Sequence, residues 1–172
     1  MKTLFISLLL SLGLVTPVFA EKAIDTNFEK EIVQKMIDSS IQRFKVDEGV
    51  SIEDAVESMK LRANMLNFKL VADLPLSEQI KAMGQDSGHM QILAFCDALI
   101  AKKMVEYNII FAGFLPCRIG AVEDKDGQAW LVTTNMDMML HAVDLPEDLQ
   151  PMAKKVRDTI YSIIDAGVTG DL

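Results

Sequence analysis

The sequence predicts an α+β domain with one mixed or antiparallel sheet of about five strands and helices packed mainly on one face. Segments with apolar residues at every second position alternate with segments at helical spacing, which gives the order α-β-α-β-α-β-α-β-β-α-α. Asp126-Gly127 stands between the last two strand-like segments, and this dipeptide is typical of a hairpin turn. A hairpin within this mixed order favours an α+β fold.

Five strands are predicted from apolar alternation or from short apolar runs. They span Ser40–Asp47, Phe68–Asp73, Met90–Phe95, Ile119–Glu123 and Gln128–Thr134. The third has an unbroken apolar run, which is typical of a buried strand.

The helices are predicted from their caps and apolar stripes. Ser51 begins a capping-box sequence before the clearest amphipathic helix of the first half. Asp97 can cap a helix that continues to about Tyr107. The closing helix has the strongest stripe of all, with Pro146 at its start and Gly167 at its end.

Residues 1–20 have the three parts of a cleavable secretory signal peptide. Lys2 supplies the positive start, residues 4–15 form an apolar run, and a Val-Phe-Ala sequence ends the segment with small residues where a signal peptidase reads. The run is shorter than the roughly 20 residues that span a bilayer. We expect a mature chain that begins near Glu21 and is periplasmic or extracellular.

The remaining chain is long enough for one domain with its own core. We divide it into a leader with a short helix at 21–39, a single domain at 40–167 and a tail at 168–172. No later segment is long and apolar enough to cross a membrane, so no membrane contact is expected after signal removal.

The charge balance excludes one class of partner. The chain has 25 acidic and 17 basic residues, a net charge of -8. Nucleic-acid phosphates require a basic surface, so we expect no nucleic-acid partner. An exported protein or a small molecule remains as the expected partner.

Cys96 and Cys117 are the two cysteines of the chain, with 20 residues between them. In an oxidising compartment a cysteine pair indicates a disulfide first. A bridge that closes such a loop would stabilise the fold by about 3 kcal/mol. Antiparallel strands would bring the end of one beside the start of the next, whereas a parallel crossover would separate the sulfurs by about 20 Å. We favour the arrangement that brings the two cysteines to one end of the sheet.

Three roles compete if the two sulfurs meet. The first is a structural disulfide. The second is a reversible dithiol, because Arg118 beside Cys117 and the helix start after Cys96 would both favour the thiolate. The third is metal binding. Asp97, Arg118 and Phe114 are separate candidates for binding a ligand near the two cysteines.

A soft metal is the one cofactor that the residue types suggest, since thiolates and thioethers select copper(I). Asn135 can cap a short helix on which Met138 and His141 share a face. The candidate ligands are therefore Cys96, Cys117, Met138 and His141. The plainer alternative is an amphipathic helix with His141 in water, which requires no cofactor.

Three segments together resemble the family called domain of unknown function 302. Ile92–Ala98 is similar to that family's strand ending in Cys-Asn-Pro, Phe114–Ile119 to its Leu-Pro-Cys segment, and Glu123–Trp130 to its acidic hairpin. The resemblance covers roughly residues 41–166. It implies a compact α+β domain, a homodimer, and no assignable reaction.

The resemblance departs from the family pattern at one place. Asp97-Ala98 stands where many members have Asn-Pro, but Asp also caps helices, so we expect the turn to be kept. Cys96 and Cys117 match the family's motif and are carried over as a candidate site.

No enzyme class is supported by a motif. The chain has two histidines, no Gly-x-Ser-x-Gly elbow and no phosphate-binding glycine loop. We expect an exported accessory or binding protein that is not an enzyme. The alternatives are a thiol-disulfide redox protein that uses Cys96 and Cys117, and a structural homodimer module with a stabilising disulfide.

Overall fold

A computed structural model describes residues 26–171 of the chain. The predicted signal peptide at 1–20 and the start of the predicted leader lie outside the described residues. The element order of the described part is the predicted one, with a short 3-10 helix added before the fourth strand.

The five strands form one open sheet in which all neighbours are antiparallel, in the order β1-β5-β4-β3-β2. This resolves the predicted choice between a mixed and an antiparallel sheet. The strands are β1 (Ile41–Lys45), β2 (Lys69–Pro75), β3 (Met90–Cys96), β4 (Cys117–Glu123) and β5 (Ala129–Thr134).

Within residues 26–171, six α-helices and one 3-10 helix precede, connect or follow the strands. They are α1 (Thr26–Ser40), α2 (Ile52–Met65), α3 (Leu76–Ala82), α4 (Ala98–Tyr107), the 3-10 helix (Ile109–Phe114), α5 (Met136–Ala142) and α6 (Gln150–Thr169). Helix α1 continues through Ser40, so β1 begins one residue later than predicted and the leader helix is longer.

The main core lies between one face of the sheet and helices α2 and α6. Alternating residues of the three inner strands are fully buried there: Leu93, Phe95, Ile119, Ala121 and Leu131. Their period of two places one face of each strand inward, as expected for an antiparallel sheet. A smaller core joins the 3-10 helix to the start of α6 through Phe111, Leu145, Leu149 and Ala153.

The start of α6 differs from the prediction. Pro146 lies before the helix, in a turn in which its carbonyl accepts bonds from the amides of Leu149 and Gln150. The helix begins at Gln150 and has Pro151 in its first turn, where the missing amide donor carries little penalty.

The end of α6 also differs, since it lies at Thr169 and Gly170 forms the C-cap at φ 72°. Gly167, predicted as the helix end, is buried within the helix. A Cβ at Gly167 would lie 2.7 Å from Met59 Cγ and 2.8 Å from Leu131 Cδ1. This glycine is required by the close approach of α6 to α2 and the sheet. Helix α6 thus includes the first two residues of the predicted tail at 168–172.

Three predicted helix caps are confirmed. Ser51 Oγ accepts the Asp54 amide at 3.0 Å, and Asn135 Oδ1 accepts the Met138 amide at 3.0 Å. Asp97 Oδ1 accepts two amides of the first turn of α4, at 3.1 and 3.2 Å. Each bond satisfies a donor that a helix start leaves free.

The β4–β5 hairpin is organised by Asp124. One carboxylate oxygen accepts the amides of Asp126 and Gln128 at 2.9 and 3.0 Å, and the other accepts Trp130 Nε1 at 2.9 Å. These bonds lower the pKa of Asp124, and the bond from Trp130 has the largest effect. Gly127 takes φ 77° in the turn, which confirms the predicted Asp-Gly hairpin.

The outer strand β2 is irregular. Leu70 pairs with Phe95, but the next pair is Ala72 with Ala94, so Val71 is an extra residue in the ladder. The strand ends at Pro75, which has no amide to donate. No helix within residues 26–171 has the length and apolar composition of a membrane span.

Candidate functional site

A cavity of about 100 Å³ lies at the end of the sheet where β3 ends and β4 begins. Helix α4, the 3-10 helix, α5 and the start of α6 complete its wall. Most of the lining residues are apolar, and the polar ones are Asp97, Arg118, Thr133, Thr134 and the two cysteines.

The antiparallel pairing of β3 and β4 brings both cysteines to this cavity. Phe95 pairs with Cys117, and Cys96 is the next residue of β3. The prediction that the two cysteines lie at one end of the sheet is confirmed by this register. Both residues line the cavity and both are partly buried.

The predicted disulfide is absent, since Cys96 and Cys117 are free thiols and do not lie at bonding distance. The register gives the reason. Cys117 shares a face of the sheet with Phe95, whereas Cys96 is one residue further along and leaves the pleat on the other side.

The predicted thiolate character is wrong in direction. Burial, and then the neighbouring Cys96, raise the pKa of Cys117 from 9.0 to about 11, and the smaller opposing effect of Arg118 does not reverse this. Burial, and then the carboxylate of Asp97, raise the pKa of Cys96. Both thiols are therefore protonated at neutral pH, which makes them weak nucleophiles.

Sulfur is abundant in the wall. Met104 of α4 and Met136 and Met139 of α5 join the two cysteines, so five sulfur-containing side chains line one cavity. None of these three methionines is among the candidate ligands named from the sequence. Helical spacing can indicate that such a residue faces inward, but it does not show which elements it meets.

The other proposed metal ligands lie elsewhere. Met138 and His141 are not in the cavity wall. His141 is exposed, and its Nδ1 lies 2.7 Å from the carbonyl oxygen of Asp137. Within residues 26–171 no group of three or more His, Cys, Asp or Glu side chains is arranged to hold a metal ion.

Helix α5 covers one side of the cavity and is tied to α6 by a charged pair. Arg157 Nη1 lies 2.7 Å from Asp137 Oδ1, and its Nε lies 2.7 Å from Asp158 Oδ1. Met136, Met139 and Leu140 of α5 line the cavity. Because no residue of α5 is fully buried, few apolar contacts hold this wall in place.

A scan of family models matches residues 42–167 to "Domain of unknown function DUF302". The chain belongs to the DUF302 family. Among solved structures it is similar to a crystal structure of an uncharacterized conserved DUF302 protein from Bacillus stearothermophilus. The two share 18% identity over 73% of this chain and 95% of that one, with a TM-score of 0.59. No curated protein matches the chain.

The match defines the fold of this DUF302 domain and leaves its activity open. The matched range begins in β1 and ends within α6, so it contains all the elements that surround the cavity. At 18% identity the solved structure supports the fold alone.

The predicted binding residues of the DUF302 domain do come together. Asp97, Arg118 and Phe114 all line the cavity with the cysteines. The apolar stretch from Ile109 to Leu115 divides in the structure into a buried and an exposed part. Phe111 is buried, whereas Ile109 is 80% exposed.

Proposed function

We propose that this DUF302 domain is an exported binding protein, without catalytic activity, that holds a small apolar molecule in the cavity beside Cys96 and Cys117. The observation that supports it is the cavity of about 100 Å³ with mainly carbon and sulfur in its wall. Export is supported by the signal-like sequence of residues 1–20.

The character of the wall fits an apolar guest. Small-molecule sites are concave and mostly apolar, with a few polar groups that set orientation. Dry apolar cavities of about 150 Å³ bind benzene or xenon in other proteins. The raised pKa values of both thiols leave them uncharged at neutral pH, which keeps this wall apolar.

The raised pKa values also count against the redox alternative. A thiol-disulfide exchange protein needs a thiolate nucleophile near neutral pH. Neither a low pKa nor a bond between Cys96 and Cys117 supports that role.

The test uses the mature chain labelled at its methionine methyl groups with carbon-13. Xenon and 1-butanol should shift the methyl resonances of Met104, Met136 and Met139 in a saturable way, because these residues line the cavity. The exposed Met65 and Met83 should not move and serve as internal references. Absence of saturable shifts at the three lining methionines would overturn the proposal.

A pair of variants on α4 makes the test specific. Ala101→Leu adds side-chain volume at a residue of the cavity wall and should abolish the shifts. Ala98→Leu makes the same change at an exposed residue outside the wall and should leave them intact. Equal binding by both variants would place the probes outside the cavity.

The five sulfur-containing side chains favour a second candidate, a copper(I) site built on Cys96 and Cys117. Metal binding would displace the two thiol protons, so the affinity should rise with pH. Anaerobic titration against a copper(I) chelator measures it. Cys96→Ser and Cys117→Ser should each weaken binding strongly, whereas Met138→Leu, outside the cavity wall, should not. Binding that survives both cysteine variants excludes this site.

A further inference from the structure

Building on the proposed binding function, we propose that the guest of this cavity is a short-chain carboxylate, with its alkyl group in the cavity and its carboxylate paired with Arg118. The two parts of the proposal rest on different observations. The volume of the cavity limits the length of the alkyl group, and the charged residues of the wall favour an anionic head group.

Two charged residues, Asp97 and Arg118, line the cavity, and they differ in the hydrogen bonds and ion pairs that they make. Asp97 Oδ1 already accepts two amides at the start of α4, and its Oδ2 lies 3.4 Å from Lys155 Nζ. Arg118 has no carboxylate within 4 Å in the part of the chain that the structure describes. The uncompensated charge of the wall is therefore positive.

The positive charge of Arg118 affects a side chain of the cavity wall. It opposes the rise of the Cys117 pKa, and Cys117 lies in the cavity wall. Arg118 is itself exposed, so an anion could reach it from solvent. Its planar guanidinium can hold a carboxylate through two parallel hydrogen bonds.

Thr133 and Thr134 both lie in the cavity wall with Arg118, and one of them can add to the anion site. The backbone carbonyl of Arg118 accepts the Thr133 hydroxyl at 2.7 Å, which ties β4 to β5 beneath the arginine. Thr134 also lines the cavity and carries a hydroxyl that can donate to a carboxylate.

The net charge of -8 opposes anion binding at long range, but this effect is screened. At physiological ionic strength the Debye length is about 8 Å, so distant carboxylates contribute little beside a direct contact with Arg118. The direct contact between Arg118 and the carboxylate of the guest therefore decides whether an anion is preferred.

The cavity volume sets the size of the alkyl group. Since about 150 Å³ holds the six carbons of benzene, a volume of about 100 Å³ corresponds to roughly four carbon atoms. Butyrate, whose alkyl group has three carbons beside the carboxylate, fits within this limit and is the probe. Each methylene that enters the cavity should strengthen binding about fourfold, and the gain should stop when the volume is filled.

Calorimetry and the methionine methyl resonances are followed during titrations with butyrate and 1-butanol. In Arg118→Gln the affinity for butyrate should fall by up to about fivefold, the upper end of the range for a solvent-accessible ion pair. The affinity for 1-butanol, which has no charge, should not change. Arg43→Gln is the matched control, because Arg43 is also an exposed sheet arginine but lies outside the cavity wall.

Each outcome separates this inference from the binding function on which it rests. If Arg118→Gln changes the affinities for butyrate and for 1-butanol equally, the carboxylate assignment is overturned, whereas the apolar binding cavity is not. Butyrate binding that persists in the filled-cavity variant Ala101→Leu would overturn it too, because the anion would then bind at the surface only. If neither probe binds the wild-type protein, the binding function itself fails.

Discussion

Gly167→Ala tests the packing of α6 against α2 and the sheet. The added Cβ would lie 2.7 Å from Met59 Cγ, 2.8 Å from Leu131 Cδ1 and 3.2 Å from the Ala55 carbonyl oxygen. Overpacking of this kind costs about 1–3 kcal/mol, and the backbone contact places this site near the upper end. Alanine regains about 1 kcal/mol over glycine in a helix, which leaves a net destabilisation of about 2 kcal/mol.

The assay is urea and thermal unfolding of the mature chain, followed by circular dichroism. For a domain of this size a loss of about 2 kcal/mol should lower Tm by roughly 4–8 °C. Gly113→Ala is the matched control, because a Cβ at Gly113 meets nothing within 4 Å. That variant should be neutral or stabilised by up to about 1 kcal/mol. A Gly167→Ala protein as stable as wild type would refute the reasoning.

Three further predictions concern the titrating side chains. Because the folded pKa of Cys117 is about 11 against 9.0 unfolded, stability present below pH 9 should fall by about 2–3 kcal/mol as the pH rises to 11. Urea titrations should show this loss in wild type and a flatter profile in Cys117→Ser. Asp97→Asn removes a charge that raises the pKa of Cys96, so alkylation of Cys96 at pH 8 should accelerate; an unchanged rate would contradict that cause. Asp124→Ala frees the indole of Trp130, the single tryptophan, so its emission should shift to the red and Tm should fall; an unchanged spectrum would argue against the bond.

The order of elements could be predicted because its signals are local. Ser51, Asp97 and Asn135 each bond to an amide within three residues, so a short window of sequence contains both partners. The Asp-Gly turn is equally local. The sequence places the end of α6 too early, because a glycine after an apolar stripe occurs both at helix ends and where a helix packs closely against a neighbour. Only the packing against Met59 distinguishes them for Gly167.

The cavity could not be predicted because its wall combines residues distant in sequence. The sequence indicates Cys96 and Cys117, but Met136 and Met139 reach the same space only after α5 packs against α6. The direction of the thiol pKa values was missed for a related reason. Arg118 is visible in the sequence, whereas the burial that outweighs its charge is a property of the folded chain.

The extra residue in β2 has a consequence for how this protein meets other chains. An outer strand normally has a row of unpaired amides and carbonyls that can form hydrogen bonds with a strand of another chain. Here Val71 interrupts the regular spacing, Pro75 lacks a donor, and Lys69 and Asp73 place charges along the strand. Fibril-like growth from this side is disfavoured, and we expect any assembly there to depend on side-chain contacts rather than on a shared sheet.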